Sequence, residues 1–324
     1  MTSSVPHDAG LAIGIDVGGT KTAAALVDLA TGALRARREE PTRPERQGRE
    51  VLDDTLALAR HLLSLPRPPD RPFRGIGVGV AELVDLRGHV ITGHTVRWAG
   101  LPVRARLAEV APTFVDADVR AAARAEAIFG AGRGHDDFVY VSIGTGISSC
   151  LVLNGTPYPG AHGRAGVLGT GVRRDASRSL EARASGPALV RRYRLASGQD
   201  TTHGRDVAHL AANGDVHAQA VLDEAADALG DALAWLVDVL DPAVLIVGGG
   251  LGTSGGRYWN RLVRATRQGI WTPGSRDVPV LPAATGTDAG VLGAALGTLA
   301  HTQDGPSLSL HAPAQEGDPH APCG

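Results

Sequence analysis

Ile13-Gly14-Ile15-Asp16-Val17-Gly18-Gly19-Thr20-Lys21-Thr22 is the stretch from which the fold is read. Ile13, Ile15 and Val17 alternate with smaller or polar neighbours, the period of a β-strand. Gly18 and Gly19 allow a sharp turn with no Cβ in the way. A second apolar run over 23–27 follows and ends in a turn signal at 28–32, so the loop belongs to a β-hairpin. Its entry carries Asp16 and its exit Thr20, Lys21 and Thr22. Backbone N–H groups, hydroxyls and one cation suit phosphate oxygens, and a carboxylate can hold Mg²⁺ through its water shell. The glycine spacing matches neither a Walker A loop nor a dinucleotide-binding turn. A Gly-Gly-Thr turn also serves hairpin geometry alone, and both readings stand at this point.

Lys21 is the sole lysine, so 31 of the 32 basic residues are arginine (32 less one). A lysine kept against that bias points to a site where a compact ammonium fits and a planar guanidinium does not. Chance is the competing explanation. The 324 residues suffice for two lobes, and a net charge of −2 gives no basic footprint for nucleic acid. Cys150 and Cys323 are too few and too far apart for a disulfide framework or a metal cluster. No apolar run approaches the roughly 20 residues of a membrane span, and no signal-peptide core is present. The expectation is a cytoplasmic protein with no membrane partner; a homodimer is left open.

Along the chain, residues 1–10 are expected to be disordered, 11–117 to form an N-terminal lobe, 118–302 a C-terminal lobe, and 303–324 a disordered tail. The closing helix, expected over 289–300 with Asp288 as its cap, is free to pack back on the first lobe. Charged, proline-containing 37–48 reads as a connection. Residues 51–63 place Val51, Leu52, Leu56, Ala59, Leu62 and Leu63 at helical spacing. Strands are expected over 75–80 and 113–115, turn and strand over 84–96, and helices over 101–110 and 119–129. A second hairpin then repeats the first: strand 138–143, turn Gly144-Thr145-Gly146, strand 147–153, with Asn154-Gly155 as a type I′ signal. Helices are expected over 180–195, 216–240 and 258–268. A buried strand over 244–247 runs into Gly248-Gly249-Gly250, and 278–281 reads as an edge strand because of Pro279. Two strand–glycine-turn–strand units suggest a duplicated architecture with a cleft between the halves.

Three glycine turns, each ending an apolar strand, are more specific than any one of them. Together they resemble the ROK family of sugar kinases and regulators, over residue 11 to about 300. The resemblance implies an α/β, two-lobed actin-like ATPase (ribonuclease H-like) fold with a central cleft between the lobes. It makes Asp16 to Lys21 the first phosphate loop, with Gly18, Gly19, Thr20 and Lys21 on the phosphates and Asp16 on the Mg²⁺ side. Gly144, Thr145 and Gly146 become the second phosphate loop, and Gly248, Gly249 and Gly250 the adenosine side. The segments 129–134 and 286–290 match family signatures of folding. The family's Asn-Asp-Ala-Asn register reads Ala117-Asp118-Val119-Arg120 here, which makes Asp118 the general base. Helix capping is the alternative role for Asp118, and the two are compatible.

Several acceptor positions depart from the family. His94 stands for a sugar-contacting Asn, Ala117 for another, and Val167-Leu168-Gly169-Thr170 for Glu-x-Gly-His. The zinc-binding cysteine run is replaced by 171–179, so no zinc site is expected. Glu181 matches a later sugar-contacting Glu, or complements a helix dipole behind Ser179. The expected activity is ATP- and Mg²⁺-dependent phosphorylation of a small-molecule polyol. A C7 cyclitol of aminocyclitol antibiotic biosynthesis, lacking the anomeric oxygen, suits the lost Glu. A glucokinase or other hexose or amino-sugar kinase is the first alternative, and an inactive sugar- or nucleotide-binding or regulatory protein the second. Only ten residues precede Leu11, so a DNA-binding regulator is not expected.

Overall fold

The computed structural model describes residues 6, 8–43, 45–169 and 179–303. The first half runs β1 (Leu11–Val17), β2 (Lys21–Asp28), β3 (Leu34–Pro41), α1 (Gly48–Ser64), β4 (Phe73–Val80), α2 (Val103–Ala108), β5 (Thr113–Ala117) and α3 (Asp118–Phe129). The second half runs β6 (Phe138–Ile143), β7 (Ile147–Leu153), β8 (Thr156–Pro157), α4 (Leu180–Ala184), α5 (Gly186–Ser197) and α6 (Gly204–Ala212). It continues through α7 (Val216–Leu240), β9 (Leu245–Gly248), α8 (Gly249–Gly252), α9 (Gly256–Gly269), β10 (Val280–Pro282) and α10 (Ala289–Gln303).

The first sheet is ordered β3-β2-β1-β4-β5 and the second β8-β7-β6-β9-β10. In each, an antiparallel meander of three strands is followed by two strands parallel to the first. The halves therefore repeat one topology, as the paired glycine turns suggest. Asn154 and Gly155, at φ 50° and 71°, make the type I′ turn between β7 and β8. Among the described residues no helix is long and apolar enough to cross a membrane.

Three readings change. Residues 34–41 are a strand: β3 is an exposed edge whose charge hides it from apolar periodicity. Residues 84–96 hold only an isolated bridge between Val84 and Val90. The helix expected over 180–195 is broken at Ser185, whose hydroxyl accepts from Ala188 N–H to start α5, and α6 follows unforeseen. Asp288 stands directly before the closing helix, at the end of a 3-10 turn, Gly286–Asp288, and its carboxylate accepts from Arg37 Nε at 2.7 Å. Of 1–10, only Pro6 and 8–10 are described, and there Ala9 is buried, its carbonyl accepting from Arg74 Nε. Residues 170–178 and 304–324 lie outside the described residues.

Two helices decide how the halves join. α10 packs on β1, β4 and α3, so the closing helix belongs to the first lobe by contact. It comes close because Gly77 carries no side chain: a Cβ there would lie 1.8 Å from the Ala294 carbonyl oxygen. α3 shares one apolar core with β1 and β4 on one side and with Phe138, Tyr140 and Ile246 of the second sheet on the other. A lobe boundary at 118 falls between β5 and α3, at the start of an element that packs against both sheets. The opposite face of the second sheet is covered by α5, α7 and α9 around Leu189, Leu229 and Leu262. An alanine at Gly293 would set its Cβ 1.6 Å from the Ala121 carbonyl oxygen, forcing α10 off α3. Overpacking of this kind costs about 1–3 kcal/mol. Gly293→Ala should therefore lower the thermal midpoint by about 3–10 °C. Gly274→Ala, where nothing lies within 4 Å, should leave it unchanged in the same scan.

Candidate active site

Register places Asp16 in a row across the first sheet. It sits opposite Ala23 of β2 and Gly79 of β4, and these sit opposite Glu39 and Asp116. Small neighbours on both sides leave room around the carboxylate. From above it is covered by α10: Asp16 Oδ2 lies 2.3 Å from where a Gly290 Cβ would stand. Asp118 opens α3, with Ala117 in the cap position, and its Oδ1 accepts from Val119 N–H at 2.7 Å. A Cβ at Gly79 would lie 3.5 Å from Asp118 Cα and 3.8 Å from Asp16 Oδ1. The two half-buried carboxylates thus flank the side-chain-free position Gly79.

Each resists ionisation. Desolvation pushes the Asp16 carboxyl up to about 6, with Lys21 pulling against it. Desolvation, and then the charge of Asp16, push Asp118 up to about 7. A carboxylate of that basicity is matched to proton abstraction near neutral pH.

The glycine turns are linked to this pair through a chain of contacts. Gly18 N–H donates to the Lys21 carbonyl at 3.0 Å to close the first turn. Gly144 N–H donates to the Gly146 carbonyl at 2.9 Å to close the second. Gly249 presses on the end of β6, its Cβ position 2.3 Å from the Ile143 carbonyl oxygen, so the third turn adjoins the second. α8 packs on the turn Gly286–Asp288, which leads into α10 and to Gly290 beside Asp16. No atom lies within 4 Å of the Cβ positions of Gly144 and Gly250, which leaves backbone open to a ligand. Exposed turn backbone, Asp16 and a nearby cation fit a nucleotide triphosphate and its Mg²⁺. Lys21 Nζ itself is paired with Glu39 Oε2 at 3.0 Å, and Arg37 Nη2 shares that oxygen at 2.8 Å. Thr20 is exposed, and its carbonyl accepts from Thr42 N–H. Thr145 is exposed at the tip of the second turn.

The two residues expected to meet the acceptor adjoin different glycine turns. His94 is exposed in the segment 92–96, where Thr95 Cγ2 lies 2.7 Å from the Gly19 Cβ position. The segment thus touches the first turn. Glu181 faces the second turn: its Oε2 accepts from Ile147 N–H at 3.0 Å and lies 2.9 Å from the Cβ positions of Gly146 and Gly169. Ser179 caps its helix by accepting from Ala182 N–H. Thr170 and 171–178 lie outside the described residues. Among the described residues no group of three or more His, Cys, Asp or Glu could hold a metal ion.

Three charged residues escaped the sequence reading. Glu82, 7 % exposed, accepts from Thr92, His94, Thr95 and Val96. Arg120, 5 % exposed, donates to Asp116 and to the Gly163 and Val84 carbonyls. Glu126, fully buried, accepts from the N–H groups of Ala131, Ala284 and Thr285 and ties α3 to the segment ahead of Gly286. Their only signal is an acid or arginine inside an otherwise apolar or alanine-rich run.

The family model described as ROK family matches residues 12–302. The chain is 31% identical over 252 residues to a kanosamine kinase of Amycolatopsis mediterranei (strain S699), covering 74% of this chain and 80% of the relative. It is 29% identical over 319 residues to a glucokinase of Streptomyces coelicolor, covering 88% and 96%. Among solved structures it is similar to a ROK family glucokinase from Streptomyces griseus in complex with glucose and AMPPNP. That likeness has a TM-score of 0.77 at 29% identity and covers 88% of this chain and 98% of the other. The fold is thus that of the actin-like sugar kinases.

The raised Asp118 carboxyl also sets a sign for stability. From the ordinary 3.8 up to about 7 the folded protein keeps a proton that the unfolded chain has released. Stability contributed by this group therefore falls as pH rises through that window. The thermal midpoint of Asp118→Asn should gain on that of the parent as pH rises from about 5 to about 8. A gain that is flat with pH would contradict the raised value.

Proposed function

The chain belongs to the ROK family, and on that premise we propose that it is an ATP-dependent sugar kinase in which Asp118 is the general base. The observation that carries the assignment is the pairing of Asp16 and Asp118 across Gly79, with the first glycine turn directly after Asp16 and the segment 92–96 resting on that turn. Asp118 accepts the proton of an acceptor hydroxyl as that oxygen bonds to the γ-phosphorus and the bond to the β-phosphate oxygen breaks, releasing ADP. Phosphoryl transfer asks mainly for positioning and charge stabilisation. The open backbone of the glycine turns supplies the first, and Lys21 part of the second. Exposed ion pairs are worth about 0–1 kcal/mol, so Lys21 can leave Glu39 for a phosphate at little cost. Mg²⁺, which Asp16 would hold through water, neutralises phosphate charge when bound.

For the acceptor we propose a hydroxymethyl group on a carbocyclic polyol of the C7 cyclitol type, placing the enzyme in aminocyclitol metabolism. Ala117 and the half-exposed Val167 stand where the family carries longer polar groups. Glu181 gives a carboxylate oxygen to the backbone of Ile147, which leaves less for a sugar hydroxyl. Each ring hydroxyl without a partner in a dry cleft costs about 1–3 kcal/mol, which disfavours a hexose. Glucose and amino sugars, the substrates named for the relatives above, are the competing acceptors.

Asp118→Asn should retain ATP binding by calorimetry and lose turnover by about 10²-fold or more. Near-normal turnover would remove Asp118 from the chemistry. In direct competition, kcat/KM for a valiolone should exceed that for glucose. A tenfold advantage for glucose would overturn the acceptor while leaving the kinase standing.

A further inference from the structure

Glu82 lies two residues past the end of β4, almost wholly buried, and no lysine or arginine pairs with it among the described contacts. Its oxygens are instead taken by one short segment. Oε2 accepts from Thr92 Oγ1 at 2.6 Å and from His94 N–H at 3.1 Å. Oε1 accepts from Thr95 N–H at 2.5 Å and from Val96 N–H at 2.9 Å. The Thr92 hydroxyl accepts in turn from Leu83 N–H at 2.9 Å, closing the ring back on the strand end. Beyond the segment, Trp98 Nε1 donates to the Gly48 carbonyl at 2.9 Å and fixes its far end.

A buried carboxylate used in this way is expensive to desolvate unless its acceptors are filled, and here four donors fill them. What it builds is the segment that carries His94 and rests, through Thr95, on Gly19 of the first turn. Two residues further on, the Val84 carbonyl accepts from Arg120 Nη2 at 2.8 Å. Arg120 also donates to Asp116 and, through Nη1 at 3.0 Å, to the Gly163 carbonyl. Residues 82–84 thus anchor 92–96 and adjoin Gly163, and the Glu82 carboxylate lies near enough to Asp118 for its charge to be felt there.

We propose that Glu82 is a positioning residue for the acceptor: it gathers 92–96 and keeps that segment in register with the first glycine turn. The proposal rests on the kinase reading above. It makes acceptor recognition depend on a carboxylate that never touches the acceptor. The charged groups that act on Asp118 are Asp16 from β1, Glu82 from the end of β4 and Arg120 from its own helix. Of these Glu82 raises its affinity for a proton and Arg120 lowers it.

Two variants separate geometry from charge. Glu82→Asp keeps the charge but is one methylene short of the four donors; Glu82→Gln keeps the reach and loses the charge. Glu82→Asp should raise KM for the acceptor about tenfold or more, the scale of a lost charged hydrogen bond, with KM for ATP within twofold. Its acid limb in the pH profile of kcat/KM should stay in place. Glu82→Gln should move that limb to lower pH, because a negative neighbour of Asp118 is gone. A general loosening of the fold would move neither the limb nor one KM selectively. Hydrogen exchange over 92–96, which needs no turnover, should accelerate about tenfold or more in Glu82→Asp relative to the parent. Unchanged exchange together with an unchanged acceptor KM overturns the proposal. An inactive parent enzyme would count against the kinase reading instead, and exchange alone would then decide for or against Glu82.

Discussion

Asp16 and Asp118 are pressed towards one another across a residue with no side chain, and neither ionises freely there. Most of the surrounding architecture answers to that constraint. A Cβ at Gly79 would crowd α3, with Ala121 Cβ 3.3 Å from the position it would take. Gly290 must lack one because the Asp16 carboxylate already fills the place. The row across the first sheet keeps Ala23 and Gly79 small on both sides of Asp16, although larger β-formers would favour the strands themselves. Local strand propensity is given up so that two acids can stand at the mouth of a cleft.

Repetition supplies the frame. Each half folds as an antiparallel meander whose first strand gains one parallel neighbour and, beyond it, a second parallel strand, so each places a glycine turn at the same corner of its sheet. A turn at the end of a buried strand can project N–H groups outward, and each half carries one such corner. Glu126 adds a restraint of another kind. By gripping the backbone at 284 and 285, it fixes the segment that leads into α10 to the far end of the helix that begins with Asp118.

The elements that reach the core are legible from period alone. Residues 216–240 can be read to the residue because one helical face is apolar for its whole length. Strands 138–143 and 147–153 are equally plain. β3 is not, since an exposed edge strand of alternating charges carries no apolar period. Asp118 can be placed by its family register, and its neighbour Asp16 by the turn that follows it. The same reasoning sets Glu181 beside the acceptor, and what spacing does not reveal is that one of its carboxylate oxygens accepts from Ile147 N–H just after the second turn. Glu82 and Arg120 are illegible for a general reason: a buried charge takes its meaning from backbone groups distant in sequence, and no spacing records those.

The packing of α10 on β1 joins residues 289–303 to residues 11–17, almost the full span of the described chain. On the ribosome, β1, β2 and β4 emerge early, yet the backbone surface around Gly77 waits for the Ala294 carbonyl until nearly the whole chain has been made. The first sheet thus stays uncovered on that face during synthesis, and loop closure over such a distance is slow. Assembly of the amino-terminal half is completed by α10, the last helix among the described residues. The second half, whose covering helices α5, α7 and α9 lie within its own sequence, is free to finish first.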